Sequence, residues 1–202
     1  MRTDHHLVSP TAKLVAHFRR YTDISYSEEV AQRIDAHAAA SKLVGGDLLL
    51  HELSCWLTPF LEARYKCIGS QLKKEGFNSI LELAAGISPR GFDMANDPNV
   101  TYVDTDLEEI LDERKRLLEA IDAGSRCRNR KNHYYHARNL VDNAFEDWED
   151  AVSFYEQSGF SIDRRPYYDG TYELSSVGRL KLDPERVMAM IRPREVWVMR
   201  AI

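Results

Sequence analysis

The chain has 202 residues, a length that favours one domain over two independent domains. Hydrophobic residues make up 44% and charged residues 29% of the chain, a balance that excludes an intrinsically disordered protein. The formal net charge of -5 gives no general attraction toward nucleic acid or an anionic membrane surface. These features favour a small-molecule substrate or a protein partner, and a homo-oligomer is possible.

Cysteine usage and hydropathy indicate the compartment. Cys55, Cys67 and Cys127 are odd in number and too irregularly spaced for a zinc site, so no metal site is predicted. No apolar run reaches the length of a membrane span, and no signal-peptide core follows the N-terminus. We therefore expect a cytoplasmic protein with reduced thiols and no membrane partner.

Residues 11–69 have apolar residues at helical spacing and are predicted to form two or three helices. Gly45 and Gly46 are expected to interrupt the pattern. Pro59 is expected to mark the start of a helix, with Thr58 as its cap.

After Gly76, short apolar segments alternate with helical segments, which is the pattern of an α/β protein with parallel strands. The predicted strands are residues 79–85, 100–104, 133–137, 160–164 and 195–202. The predicted helices follow Pro89, span residues 107–121 and 145–158, and follow Asp183. One of the last two strands is expected to run antiparallel. The whole chain is predicted to be a single domain, with a helical layer over residues 1–75 and an α/β core over residues 76–202.

The first strand ends in a turn of small residues, at the place where ligands bind in open α/β sheets. Ala84, Ala85 and Gly86 allow the backbone to approach a ligand closely. Asp104 or Asp106 follows the second strand about 20 residues further on, where a carboxylate accepts hydrogen bonds from ribose hydroxyls. The single glycine disfavours NAD, which requires three. The pattern supports an adenosine ligand such as S-adenosylmethionine (SAM), with a purely structural turn as the alternative.

The segment at residues 80–91 reads ILELAAGISPRG, and residues 102–107 read YVDTDL, with Lys115 in the helix that follows. This combination resembles the leucine carboxyl methyltransferase-like family, which includes polyketide O-methyltransferases of the TcmP type. The resemblance implies a Rossmann-like SAM-dependent methyltransferase fold with an N-terminal helical layer. It also implies SAM-dependent O-methylation of a small-molecule carboxylate or hydroxyl. The alternatives are a catalytically impaired SAM-binding or partner-binding protein of the same fold, and a nicotinamide-dependent oxidoreductase.

The resemblance implies a role for several individual residues. Lys13 and Arg64 would hold the methionine carboxylate of SAM, and Asn139 would face the adenine where the family often has an aspartate. The whole predicted cofactor site is Lys13, Arg64, Glu82, Ala84, Ala85, Gly86, Asp104, Asp106 and Asn139. Methyl transfer depends chiefly on alignment of the acceptor, so no catalytic residue is assigned, although His133, Tyr135 and His136 are conceivable bases.

The resemblance further implies two strand-helix units before the helix at residues 145–158, whereas residue 142 here runs directly into residue 143. With a βαβ unit of about 30 residues, about 60 residues are absent at this junction. The first strand would then expose an unpaired edge. We expect either pairing of residues 195–202 with residues 80–83, pairing with a partner chain, or a longer natural sequence.

Overall fold

The computed structural model describes residues 8–124, 130–137, 152–153, 156–157 and 159–201. Within these residues the architecture is mixed α/β, with an N-terminal helical layer, a three-stranded parallel sheet and a separate two-stranded antiparallel sheet. Most of the helix predicted at residues 145–158 lies outside the described residues, as do Asn139 and the junction at residues 142 and 143.

The N-terminal layer contains more helices than the two or three that the sequence predicts. Its helices are α1 (Val8–Arg19), α2 (Ser27–Arg33), α3 (Ala36–Val44) and α4 (Asp47–Glu75). Gly45 and Gly46 separate α3 from α4 as predicted, with φ angles of 90° and 137° that favour glycine.

The prediction that a helix starts at Pro59 is wrong. Pro59 lies inside α4, a continuous helix of 29 residues. Proline removes one backbone hydrogen bond from a helix and usually bends or ends it. Here α4 contacts α1 and α3 as well as helices from the C-terminal part of the chain, and Thr58 and Pro59 are both buried. Tertiary packing on several sides therefore holds the helix together across the proline.

The parallel sheet confirms the predicted alternation of strands and helices. In chain order it consists of β1 (Ser79–Glu82), α5 (Arg90–Met94), β2 (Thr101–Asp106), α6 (Glu108–Gly124) and β3 (His133–Ala137). The strand order is β1-β2-β3, and Ile80 lies beside Tyr102, which lies beside His133. The carboxyl ends of the three strands therefore lie at one edge of the sheet.

The last two strands form their own sheet. The C-terminal elements are β4 (Phe160–Pro166), α7 (Ser175–Arg179), α8 (Pro184–Ile191) and β5 (Glu195–Ala201). β4 and β5 pair antiparallel over seven residues, which confirms the antiparallel prediction. The expected pairing of residues 195–202 with residues 80–83 is wrong, because β5 pairs with β4 in a sheet that is separate from the sheet containing β1. Among the described residues, β1 pairs with β2 alone.

A core of small and large apolar residues joins the helical layer to α5 and α6. It contains Ala16, Val30, Ala36, Phe92 and Leu118, each at most 4% exposed. The opposite side of the sheet is more open. Leu81, Leu83 and Tyr134 remain more than half exposed, at 60%, 56% and 51%.

Glu62 attaches the C-terminal part of the chain to α4. Its carboxylate is fully buried and accepts hydrogen bonds from Ser175 N at 2.8 Å, Ser175 Oγ at 2.7 Å and Ser176 N at 2.9 Å. Lys66, one turn further along α4, places its Nζ 2.8 Å from Glu62 Oε1 and 2.6 Å from Asp23 Oδ1. These charge-assisted bonds connect α4, the α1–α2 loop and the start of α7.

We predict that Gly91→Ala destabilises the fold, because α5 approaches the sheet closely at this glycine. An added Cβ would lie 2.7 Å from Tyr102 Cδ1 and 2.8 Å from both Asp104 Oδ2 and His133 Nε2. Such overpacking costs about 1–3 kcal/mol of unfolding free energy, measured by urea denaturation. The control is Gly69→Ala in α4, where an added Cβ meets nothing within 4 Å. We expect that variant to gain up to about 1 kcal/mol, and equal stability of the two variants would contradict the prediction.

We predict that the fold loses stability between pH 6.5 and pH 4 through His17. This side chain is 1% exposed, and the pKa of His17 is lowered from 6.5 to about 4, chiefly by burial and then by His37 and Arg20, against a raising effect of Asp47. Between pH 6.5 and pH 4, His17 is protonated in the unfolded chain and neutral in the folded chain. The free energy of unfolding therefore falls over this range, by at most about 3 kcal/mol.

Urea denaturation at several pH values checks this prediction. His17→Phe should lack this part of the pH dependence, while His51→Phe, at an exposed position of α4, should keep it. An identical pH dependence in the parent and in His17→Phe would contradict the assignment to His17.

Candidate functional site

A cavity of about 300 Å³ lies at the carboxyl end of β1, between this strand and α4. Leu61, Ile68 and Leu72 of α4 form an apolar wall, and the end of β1 with the turn that follows forms the opposite wall. Arg19 reaches the cavity from the last turn of α1. The position matches the place where open α/β sheets bind ligands.

The turn after β1 is held by the Asp106 carboxylate. Gly86 N donates to Asp106 Oδ2 at 2.7 Å, and Leu107 N donates to Asp106 Oδ1 at 2.8 Å. Gly86 has a φ of 56° and Ala84 a φ of 51°, both in the left-handed region, which is strained for alanine. Asp106, at the end of β2, therefore stabilises a strained turn through hydrogen bonds to the backbone. This structural role of Asp106 was not predicted from the sequence.

Glu82 connects three elements at the base of the cavity. Arg90 NH1 of α5 donates to Glu82 Oε1 at 2.9 Å, and the Tyr102 hydroxyl of β2 donates to Glu82 Oε2 at 2.9 Å. Burial and the neighbouring Glu82 charge raise the pKa of Tyr102 far above its usual value, so this phenol stays protonated. The Arg90 guanidinium also lies 4.3 Å from the centre of the Tyr65 ring, within cation–π range.

Two further arginines line the cavity. Arg64 of α4 is one of the predicted site residues, whereas Arg19 was missed. The predicted basic residue on α1 was Lys13, six residues before Arg19. Lys13 Nζ instead lies 3.4 Å from Glu113 Oε1 of α6. A basic residue in the last turn of a helix is favoured by the helix dipole alone, so the sequence offered no signal that would single out Arg19.

Asp104, the alternative ribose-binding acid, belongs to a buried ion cluster. Its Oδ2 lies 2.7 Å from Arg114 NH2 and 2.6 Å from His133 Nε2, and Asp104 and Arg114 are both fully buried. The Tyr135 hydroxyl lies 3.3 Å from His133 Nδ1, and burial raises the pKa of Tyr135 to about 12. Two of the conceivable bases are thus placed beside Asp104 and do not line the cavity, while His136 is exposed.

The structure brings together one part of the predicted cofactor site. Arg64, Glu82, Ala84 and Ala85 line the cavity. Gly86 and Asp106 form the adjoining turn. Lys13 and Asp104 do not line the cavity, and Asn139 lies outside the described residues.

Comparisons with known proteins do not assign the chain to a family. No protein-family model matches the chain, and no curated protein matches it in sequence. The resemblance to leucine carboxyl methyltransferase-like proteins therefore stays a prediction.

The described part of the chain lacks the features of a membrane-spanning helix and of a metal site. None of its helices combines the length and the apolar character needed to cross a membrane. It also contains no group of three or more histidine, cysteine, aspartate or glutamate side chains arranged to hold a metal ion.

We predict that Asp104→Asn lowers stability by about 3–5 kcal/mol, because it leaves the buried charge of Arg114 without its carboxylate. Urea denaturation measures this loss. The control is Glu113→Gln, which removes the partly exposed partner of Lys13 and should cost less than about 1 kcal/mol. A loss for Asp104→Asn no larger than that of the control would show that the Asp104 cluster contributes little to folding.

Proposed function

We propose that this protein is a SAM-dependent O-methyltransferase of Rossmann-like fold that acts on a small-molecule carboxylate or hydroxyl. The observation that carries this proposal is the cavity at the end of β1, where Arg64, Glu82 and the small-residue turn meet. A ligand at this position would contact the turn, the helical layer and the base of the cavity together. We further propose that the protein acts in the cytoplasm.

The residues at the cavity suit the parts of SAM. The Arg64 guanidinium offers paired donors to the methionine carboxylate. The small side chain of the exposed Ala84 leaves the backbone of the turn accessible to the nucleoside. Each Asp106 oxygen accepts one backbone hydrogen bond and retains a further lone pair that could accept from a ribose hydroxyl. When bound, SAM would supply an electrophilic methyl group.

The protein's own contribution to such a reaction would be positioning. The apolar wall of α4 would limit the access of water, and the charged base would fix the orientation of the ligand. Among the described residues that line the cavity, Tyr102 is protonated and Glu82 is occupied by Arg90 and Tyr102. A carboxylate acceptor is already ionised and needs no base, so this chemistry favours a carboxylate over a hydroxyl.

A second candidate is a protein of the same fold that binds SAM, or a partner protein, without catalysis. The observation that favours it is the open sheet, since β1 has a partner on one edge only among the described residues and Leu81 and Leu83 are more than half exposed. An acceptor pocket beside β1 would need further elements there. A methyl-transfer assay against small carboxylic acids and phenols separates the two candidates.

We predict that SAM binds to the parent protein and that Arg64→Gln weakens it about tenfold or more, because a charged hydrogen bond contributes about 1.5–3 kcal/mol. Isothermal titration calorimetry measures the affinity. The control is Lys73→Gln, which removes an exposed charge from the same helix and should leave the affinity unchanged. Absence of SAM binding together with binding of NAD would replace this proposal by the oxidoreductase alternative.

A further inference from the structure

The cavity has an imbalance of charge. Three arginines line it, namely Arg19, Arg64 and Arg90, and Glu82 is the only acid among its described lining residues. The Glu82 carboxylate is already shared between Arg90 and Tyr102. Within the described part of the chain, neither Arg19 nor Arg64 forms an ion pair. Arg64 is exposed to solvent, which screens its charge, whereas Arg19 is half-buried. Arg19 is therefore the lining arginine whose charge is least compensated.

Arg19 has the less favourable environment of the two arginines. Its Nε is shielded from solvent and has no hydrogen-bond acceptor among the described residues, although the guanidinium lies 5.4 Å from the centre of the Tyr65 ring. Burial is the main cause that lowers the pKa of Arg19 to about 10; Tyr65 and Glu82 act to raise it, and the charges of Arg90 and Arg64 act to lower it. A shielded N–H donor without an acceptor is unfavourable, and a bound anion that accepts from Arg19 Nε would remove that cost.

The cofactor alone does not correct the imbalance. SAM carries a sulfonium and an ammonium group against one carboxylate, so it brings a net positive charge into a cavity that is already positive. Its carboxylate would satisfy Arg64 and leave Arg19 unpaired. A second anion would lower the remaining positive charge and pair with Arg19.

The walls indicate what kind of anion fits. Leu61, Ile68 and Leu72 project from one side of α4 into the cavity, and Ile80 lies across from them at the base of β1. An apolar body would bury these side chains further, whereas a small hydrated ion would not. The cavity therefore suits an organic anion with an apolar body.

We propose that Arg19 forms a second anion subsite beside Arg64 that binds a small organic carboxylate with an apolar body, and that this anion and SAM bind with positive cooperativity. The first half stands on the cavity alone, and the second half rests on the proposed function. Each ligand lowers the electrostatic penalty of the other, and the coupling is reciprocal.

The first experiment titrates benzoate into the protein by calorimetry in a buffer with little chloride. Arg19→Gln should weaken benzoate binding about tenfold or more. The matched control is Arg20→Gln, which removes the same charge from the next residue of the chain. Arg20 lies 5.5 Å from the Tyr21 ring centre and does not line the cavity, so benzoate should bind this control as it binds the parent.

Folding of the variants is checked in the same series by thermal unfolding. Arg19→Gln removes a charge that has no ion pair and whose Nε has no acceptor among the described residues, so its midpoint should equal or exceed that of the parent. Arg19→Lys retains the charge but not the planar fork, and should bind benzoate with intermediate affinity. Equal benzoate affinity in the parent, Arg19→Gln and Arg19→Lys would overturn the subsite. Inorganic phosphate binding as tightly as benzoate would overturn the preference for an apolar body.

The second experiment titrates SAM with and without saturating benzoate. Benzoate should tighten SAM binding to the parent about tenfold and leave SAM binding to Arg19→Gln unchanged. An unchanged SAM affinity in the parent would overturn the cooperativity. Failure of SAM to bind under either condition would refute the proposed function and the cooperativity with it, while the benzoate titration would still decide the Arg19 subsite.

Discussion

The carboxylate of Glu82 is the interaction on which the cavity depends. One oxygen accepts from Arg90 and the other from the Tyr102 hydroxyl, so a single side chain connects β1, α5 and β2. The same bonds use up the only acid among the described residues that line the cavity. The bonds of Glu82 therefore have two effects. They order the base of the cavity, and they leave the other lining arginines without a free carboxylate.

Helix α4 supplies the opposite wall of the cavity, and different faces of this helix carry different polar side chains. Glu62 faces the C-terminal part of the chain, where it accepts three hydrogen bonds from Ser175 and Ser176. Arg64 and Tyr65, two and three residues later, line the cavity. The buried carboxylate of Glu62 thus fixes the rotation of the helix about its axis, and that rotation decides which side chains meet a ligand.

Local patterns in the sequence predicted the strands well and the charge balance poorly. The strand His133–Ala137 matches its prediction residue for residue, because the segment is rich in aromatic residues that favour strands. Asp104 and Asp106 could not be separated from the sequence, since both follow the same apolar run. The tertiary contacts separate them, because Asp104 meets Arg114 and His133 whereas Asp106 binds the turn after β1. Arg19 lacks a counter-ion because of how side chains from three elements come together in the fold. No single segment of the sequence reveals this.

The attachment of Asp106 to Gly86 N and Leu107 N has a kinetic consequence. A ligand that enters the cavity meets a turn whose backbone is already ordered, so association requires no folding of that loop. Association rates should then reflect encounter and orientation, and related ligands should differ chiefly in how long they stay bound. The residence time, more than the rate of capture, would therefore distinguish one occupant of this cavity from another.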